Sequence, residues 1–308
     1  MRMLFVGAGA TGGYFGGRLA QAGRDVTFLV RGGRAEQLRR DGLRIISPHG
    51  DVTLVPHLLS TSEIAAPFDV VVLAVKAYAL RDALGDLMAA VGPGTMVLPL
   101  LNGMRHIDIL AERVGTAAVL GGVCVVAATL DGEGRIVQLA EMQELSYGEL
   151  SGIRSARVEA LDAEMRGADF TARASVSILQ DMWEKWILLA CLGGVNCLMR
   201  GTVGEIEAVA DGTAFVLQFL TECAAVAAAS GYPPGDPFLA RAKAVLTARG
   251  SNFASSMYRD MQQNGPVEVE HILGDLLERA HRLGVAAPLL TIAVAHLRIY
   301  QNRSLRPK

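Results

Sequence analysis

The sequence predicts an α/β fold, a doubly wound sheet at the N-terminus followed by an all-helical C-terminal domain, and three observations predict it. Short, continuous apolar and β-branched runs alternate with helix-like stretches through the first half. Runs of that kind mark parallel strands covered on both faces. A glycine-rich turn, Gly7-Ala8-Gly9-Ala10-Thr11-Gly12, stands between the first such run and the first helical stretch. From about Val176 onward Ala, Leu and Glu dominate and few strand-like runs remain. The expected division is residues 1–175 and residues 176–308, consistent with about two domains for a chain of 308 residues.

The elements follow in order. Residues 4–6 read as the first strand, 12–22 as a helix and 26–30 as a second buried strand. Residues 43–55 read as a hairpin turning at Pro48-His49-Gly50. Residues 70–75 and 96–101 complete the buried strands, and further strands are expected around 117–127 and 136–147. In the second half, helices are expected over 178–199, 205–230, 237–247, 269–283 and 287–300. Breakers at Gly231-Tyr232-Pro233-Pro234-Gly235, Gly265-Pro266 and Pro288 separate them.

Composition narrows the classes. Hydrophobic residues make up 51% and charged residues 19%, which excludes disorder. A net charge of −2, with Lys and Arg spread along the chain, leaves no footprint for nucleic acid or an anionic membrane. Cys124, Cys191, Cys197 and Cys223 lie in apolar company without a Cys-x-x-Cys pair, as buried reduced thiols would. The apolar run at the N-terminus is too short for a signal peptide, and residues 187–199, the longest such run, fall short of the ~20 that span a bilayer. The expectation is a cytoplasmic protein, with a homodimer left open.

The glycine turn has a mechanism. Gly7 permits a tight turn, Gly9 lets the backbone approach a pyrophosphate, and Gly12 allows close helix–strand packing. Ala8, Ala10 and Thr11 complete a loop whose following helix N-terminus supplies amides and partial positive charge. In a strand–turn–helix context this is a Rossmann-type dinucleotide site. NAD enzymes usually carry Asp or Glu at the end of the second strand, to hold the ribose 2′-hydroxyl. Here the sequence runs Val30-Arg31-Gly32-Gly33-Arg34, with Asp25 at the wrong end of the strand. A guanidinium at position 31 favours the 2′-phosphate of NADP(H).

Three further segments stand out. Val75-Lys76-Ala77-Tyr78 and Leu101-Asn102-Gly103 end buried strands, where open α/β sheets place their ligands. Trp183-Glu184-Lys185-Trp186 sets a lysine on an otherwise apolar helix. Either Lys185 extends its ammonium to the surface, or desolvation lowers its pKa so that it can donate a proton near neutral pH.

These pieces, in their order and spacing, resemble the ketopantoate reductases (2-dehydropantoate 2-reductases) over essentially the whole chain. The resemblance rests on the 7–13 loop with Arg31, V-K-A-Y at 75–78, L-N-G at 101–103 and W-E-K-W at 183–186. It continues through Gly204-Glu205, Ser255–Asp260, and Val267-Glu268-Val269-Glu270 closing in Gly274. It implies NADPH-dependent reduction of a small 2-keto acid, on the way to pantothenate and coenzyme A. Lys185 then matches the general acid, and Glu268 the acidic residue that helps hold substrate and position that lysine. Ser256 matches a serine contacting the substrate carboxylate, and Asn102 an asparagine bridging nicotinamide and substrate. Lys76 matches a lysine near the nicotinamide ribose, and Ala128 a backbone contact to the cofactor.

The chain departs from the family where asparagines commonly hold substrate polar groups: Leu189, Gly193 and Val203 stand at those places. Asn196 follows Lys185 at about 16 Å along a helix, too far to substitute. The pocket therefore suits a more apolar 2-keto acid as the second reading. A catalytically inactive NADP-sensing protein is a third. A metal enzyme fits poorly: His49, His57, His106, His271, His281 and His296 show no ligand spacing, and Glu270-His271 reads as a solvated helix face.

Overall fold

The computed structural model describes residues 1–304, which divide into two units: residues 1–101 with 106–179, and residues 102–105 with the chain from Gln180 onward. In the first unit, strand β1 (Arg2–Val6) leads through helix α1 (Ala10–Gln21) to β2 (Asp25–Leu29) and α2 (Gly32–Asp41). A hairpin of β3 (Leu43–Ile46) and β4 (Val52–Leu54) precedes β5 (His57–Leu59). Then come β6 (Val70–Leu73), α3 (Leu80–Leu87), β7 (Met96–Pro99) and α4 (Arg105–Val114). The unit closes with β8 (Leu120–Leu130), β9 (Ile136–Glu149), α5 (Ala156–Met165) and β10 (Thr171–Ala174).

Strands β5, β2, β1, β6 and β7 lie side by side in that order, all parallel. Their apolar runs explain this, since β6 and β7 are buried along their whole length. The chain winds outward from β1 through β2, then returns to β6 on the other side of β1. Strand order reverses there, so the carboxyl ends of β1 and β6 frame the crevice where such sheets take their ligands. The remaining strands form a second, mixed sheet, with β8 and β9 as a long antiparallel hairpin. The hairpin expected over 43–55 is present, pairing Leu43 with Leu54 and Ile45 with Val52.

Helix α1 runs between the two sheets, and its glycines make that possible. A Cβ at Gly16 would come within 2.7 Å of Phe28 in the parallel sheet. A Cβ at Gly13 would come within 2.5 Å of Ile136, and one at Gly17 within 2.8 Å of Leu43 and Ile45, in the second sheet. Side chains on either face would push a sheet away.

In the second unit α6 (Ile178–Met199) is the helix expected over 178–199, and α7 (Val203–Glu207) follows. Next are α8 (Gly212–Ala229), α9 (Asp236–Leu246) and α10 (Ser256–Gln262). A single π-helical turn, Glu270–Gly274, runs into α11 (Asp275–Arg282), and α12 (Pro288–Ser304) ends the unit. Trp183 and Trp186 of α6 are almost wholly buried; Trp183 stacks on Tyr232, and the Arg279 guanidinium lies over both indoles. The buried carboxylate of Glu222, on α8, accepts from the backbone N–H of Leu289 at 3.2 Å and of Leu290 at 3.0 Å. It thereby satisfies donors that the start of α12 would otherwise leave unpaired. Among the described residues α8 is long and apolar enough to cross a bilayer, and 44% of it is buried within the fold.

Two expectations need correction. The helix expected over 205–230 is broken: Asp211 takes a left-handed conformation (φ 62°) and Gly212 presses on the Ile206 carbonyl, where a Cβ would sit 1.8 Å away. Residues 269–283 are helical but open with the π turn, a feature that periodicity alone does not show. Helices α2 to α5 and α10 were not anticipated. Of these, α2 buries only a narrow stripe, Ala35 and Leu38, among many charges.

Candidate active site

Within the first unit, β1 delivers its chain into the glycine loop. Gly7 has φ 99°, and a Cβ there would lie 3.2 Å from the Ala74 carbonyl just after β6. Gly12 is tighter still: a Cβ would stand 2.2 Å from the Gly7 carbonyl oxygen and 2.7 Å from the Ala74 methyl. At Gly9, by contrast, a Cβ would meet no described atom within 4 Å, so the loop is open on that side. Helix α1 begins there with no side-chain cap and no acidic residue in its first turn. Its leading amides and dipole thus face an open space suited to an anion, and the cradle fits the phosphates of a dinucleotide.

Arg31 leaves the end of β2 and lies against α3. It pairs with Asp86 and donates to the Asp82 carbonyl at 3.0 Å, with 56% of its side chain exposed. An exposed pair of this kind is worth ~0–1 kcal/mol, so Asp86 is a weak competitor for an arriving phosphate dianion. Lys76 follows β6, exposed, at the carboxyl edge beside the glycine loop. Ala128 lies half-buried on β8, just past a register shift after Val126; such bulges redirect a strand. Arg34, passed over in the sequence as a neighbour of Arg31, reaches the loop itself: its Nε donates to the Ala8 carbonyl at 2.8 Å. A second arginine three positions on, across one turn of α2, was the available signal.

The other candidates gather in the second unit, which includes the 102–105 loop. Asn102 is half-buried, and the adjoining Gly103 has φ 83°. A Cβ at Gly103 would stand 2.3 Å from the His271 carbonyl and 3.8 Å from the Trp186 indole nitrogen. Trp186 in turn donates from Nε1 to the Ile272 carbonyl at 2.8 Å. The loop carrying Asn102, the helix carrying Lys185 and the π turn just after Glu268 thus meet at one glycine. Lys185 is half-buried and Glu268 is 8% exposed, and each has an interaction partner within the fold. His271 corrects an expectation: only Glu270 is a solvated residue, paired with Arg298. The His271 ring is half-buried, and burial holds its pKa below the usual imidazole range despite Glu268 nearby.

Ser256 opens α10, whose preceding residue Ser255 caps it by accepting from the Tyr258 N–H at 3.1 Å. Asn196 organises this corner. Its amide donates to the Gly201 carbonyl at 2.8 Å, and its Oδ1 accepts from the Ser255 N–H at 2.9 Å. Both ends of its side-chain amide are therefore engaged by the backbone. Gly204 and Glu205 have structural work here as well. Gly204 approaches the backbone of Gly250 and Ser251, and Glu205 forms a capping box with Thr202. Along the face of α6 that begins at Lys185, the next turns present Leu189 and then Gly193. The Met257 methyl fills the space of the missing Gly193 side chain, 2.7 Å from where a Cβ would stand. Val203 is buried. That face is apolar.

Comparison with known proteins agrees with this architecture. The family described as ketopantoate reductase PanE/ApbA matches residues 3–152, and its C-terminal counterpart matches residues 177–301. The chain is 36% identical over 301 residues to a Bacillus subtilis protein called uncharacterized oxidoreductase YkpB, covering 98% of this chain and 99% of that protein. It is 30% identical over 306 residues to a 2-dehydropantoate 2-reductase of Halobacterium salinarum, covering 98% and 99%. The crystal structure of 2-dehydropantoate 2-reductase from Methylococcus capsulatus superposes with a TM-score of 0.87 at 27% identity, covering 100% of this chain and 99% of that one.

Proposed function

The chain belongs to the ketopantoate reductase PanE/ApbA family, and on that premise we propose that it reduces a small 2-keto acid with NADPH in the cytoplasm, ketopantoate being the leading substrate. What carries this reading is the second unit's grouping. A half-buried lysine lies, in sequence, between two buried tryptophans on a helix that meets the Asn102 loop and the π turn following Glu268 at Gly103.

NADPH, when bound on the glycine loop, supplies a hydride to the carbonyl carbon. Lys185 stabilises the negative charge that builds on the carbonyl oxygen and donates the proton that completes the 2-hydroxy acid. Glu268 orients the Lys185 ammonium and holds substrate, Ser256 donates to the substrate carboxylate, and Asn102 orients both reactants. Gly7 to Gly12 hold the pyrophosphate through backbone amides, Arg31 the 2′-phosphate, Lys76 the ribose near the nicotinamide, and Ala128 a further backbone contact. Apart from Asn102, the cofactor-binding residues thus lie in the first unit, while Lys185 and Glu268 of the second handle the proton. Four buried, free cysteines suit a reducing compartment.

One observation favours a second reading, in which the substrate is a more apolar 2-keto acid. Leu189, Gly193 covered by Met257, and Asn196 bound to the backbone leave that face of α6 apolar beyond Lys185, where a substrate hydroxyl would need a donor. Each lost hydrogen bond to such a hydroxyl weakens recognition by ~1–3 kcal/mol. Steady-state rates with NADPH across ketopantoate and branched or aromatic 2-keto acids separate the readings. Fast turnover of ketopantoate supports the first. Negligible turnover of ketopantoate beside fast turnover of an apolar acid supports the second, and no turnover of any member rejects both.

The cofactor assignment has its own test. Arg31→Gln, which leaves Asp86 without a new repulsion, is expected to raise KM for NADPH about tenfold to a hundredfold and to leave KM for NADH nearly unchanged. Equal effects on both cofactors overturn the 2′-phosphate assignment.

A further inference from the structure

We propose that Arg34 is a positioning residue of the dinucleotide site: its guanidinium ties the Ala8 carbonyl of the glycine loop to the turn of the β8–β9 hairpin, and so sets the direction of the loop's amides. The inference rests on the reading that this loop binds a dinucleotide, and it assigns a role to a residue that does not itself touch one.

The geometry is a fork with three acceptors. Nε donates to the Ala8 carbonyl at 2.8 Å. Nη1 donates to the Gly134 carbonyl at 2.7 Å and to Oε1 of Gln37, one turn along α2, at 2.8 Å. The Gln37 amide closes the circuit by donating to the Glu133 carbonyl. Among the described residues Nη2 finds no hydrogen-bond partner, and it is shut off from solvent, so the fork is enclosed on that side. The turn it grips is itself built for the contact. Gly134 has φ 70°, and any Cβ there would collide with the Gln37 amide.

The consequence for the loop follows from peptide geometry. The Ala8 C=O and the Gly9 N–H belong to one planar, trans peptide, so they point in opposite directions. Holding the carbonyl on Arg34 therefore aims the Gly9 N–H, at the start of α1, away from the guanidinium. Gly9 gives this peptide unusual freedom to rotate, and a loop that rotates presents its amides to an anion only part of the time. An external tether removes that freedom before binding, which is where preorganised sites gain their affinity. The planar fork of an arginine can grip two carbonyls and an amide at once, as a lysine's single ammonium on a flexible stem cannot. Arg31 and Arg34 thereby divide the work: the first reads the 2′-phosphate, the second readies the loop for any dinucleotide.

The test compares Arg34→Gln and Arg34→Lys with the full-length wild type. Dissociation constants for NADPH and NADH are measured by calorimetry, and amide hydrogen exchange is followed without cofactor. The expected result is a rise of about tenfold in Kd for both NADPH and NADH, in both variants. Faster exchange at residues 9–13 and 131–135 accompanies it, while kcat at saturating NADPH stays near wild type. Should Arg34→Gln fail to fold, Arg34→Lys, which keeps the stem and the charge, carries the measurement. Unchanged Kd values, rescue of binding by lysine, or unaltered exchange in the loop overturn the proposal. A rise confined to NADPH also overturns it, since the residue would then be a direct phosphate ligand. A wild-type protein that binds neither dinucleotide sinks the cofactor reading itself, and this inference with it.

Discussion

Lys185→Ala is expected to lower kcat for 2-keto acid reduction by about 10²–10⁴-fold, the usual contribution of a positioned proton donor. NADPH affinity should be spared, because the glycine loop, Arg31 and Lys76 all lie in the other structural unit. The substitution removes a half-buried ammonium from a helix whose neighbouring residues, Trp183 and Trp186, are already locked by stacking and by the bond to Ile272. The helix should therefore hold its shape, and the loss should be chemical. Single-turnover rates and calorimetric NADPH binding on the same preparation check both halves. Unchanged turnover removes Lys185 from the chemistry, whereas a parallel loss of cofactor affinity and melting temperature makes it a structural residue.

Gly12→Ala is the second large effect. One methyl group would stand 2.2 Å from the Gly7 carbonyl oxygen and 2.7 Å from the Ala74 methyl, and neither is the far end of a flexible side chain that could swing aside. The backbone must move instead, at ~1–3 kcal/mol or more. Whatever moves displaces either the turn at Gly7 or the start of α1, which are the two features that would hold a pyrophosphate. Dinucleotide binding should become undetectable at concentrations that saturate the wild type, and the melting temperature should fall. Gly9→Ala is the matched control for stability, since its Cβ would meet no described atom within 4 Å. A Gly12→Ala protein with wild-type melting and wild-type NADPH affinity contradicts the packing argument.

Much of the fold was legible because its signals are contiguous. The apolar runs of β1, β2, β6 and β7, the glycine loop and the single long run of α6 each announce themselves within a few residues. Helix α2 was less visible, since a narrow buried stripe among charges resembles a loop when read alone. The candidate site was legible in the same uneven way. Lys185 stood out as a charge in an apolar run and Arg31 as a cation where an acid is usual, whereas Ser256 and Glu268 were found only through the family resemblance.

By itself, then, the sequence determined the α/β-then-helical plan, the strand–turn–helix phosphate loop and the cation at the end of β2. Each of these is encoded by neighbours in the chain. Tertiary structure alone decided that α1 is gripped by two sheets, and that Gly103 seats the Asn102 loop on the π turn. It also decided that Asn196 is committed to Ser255, and that Arg34 joins partners 26 and 100 positions away. The physical reason is common to all four. Hydrogen-bond direction and steric contact depend on where distant segments arrive, and no local pattern of residues encodes that arrival.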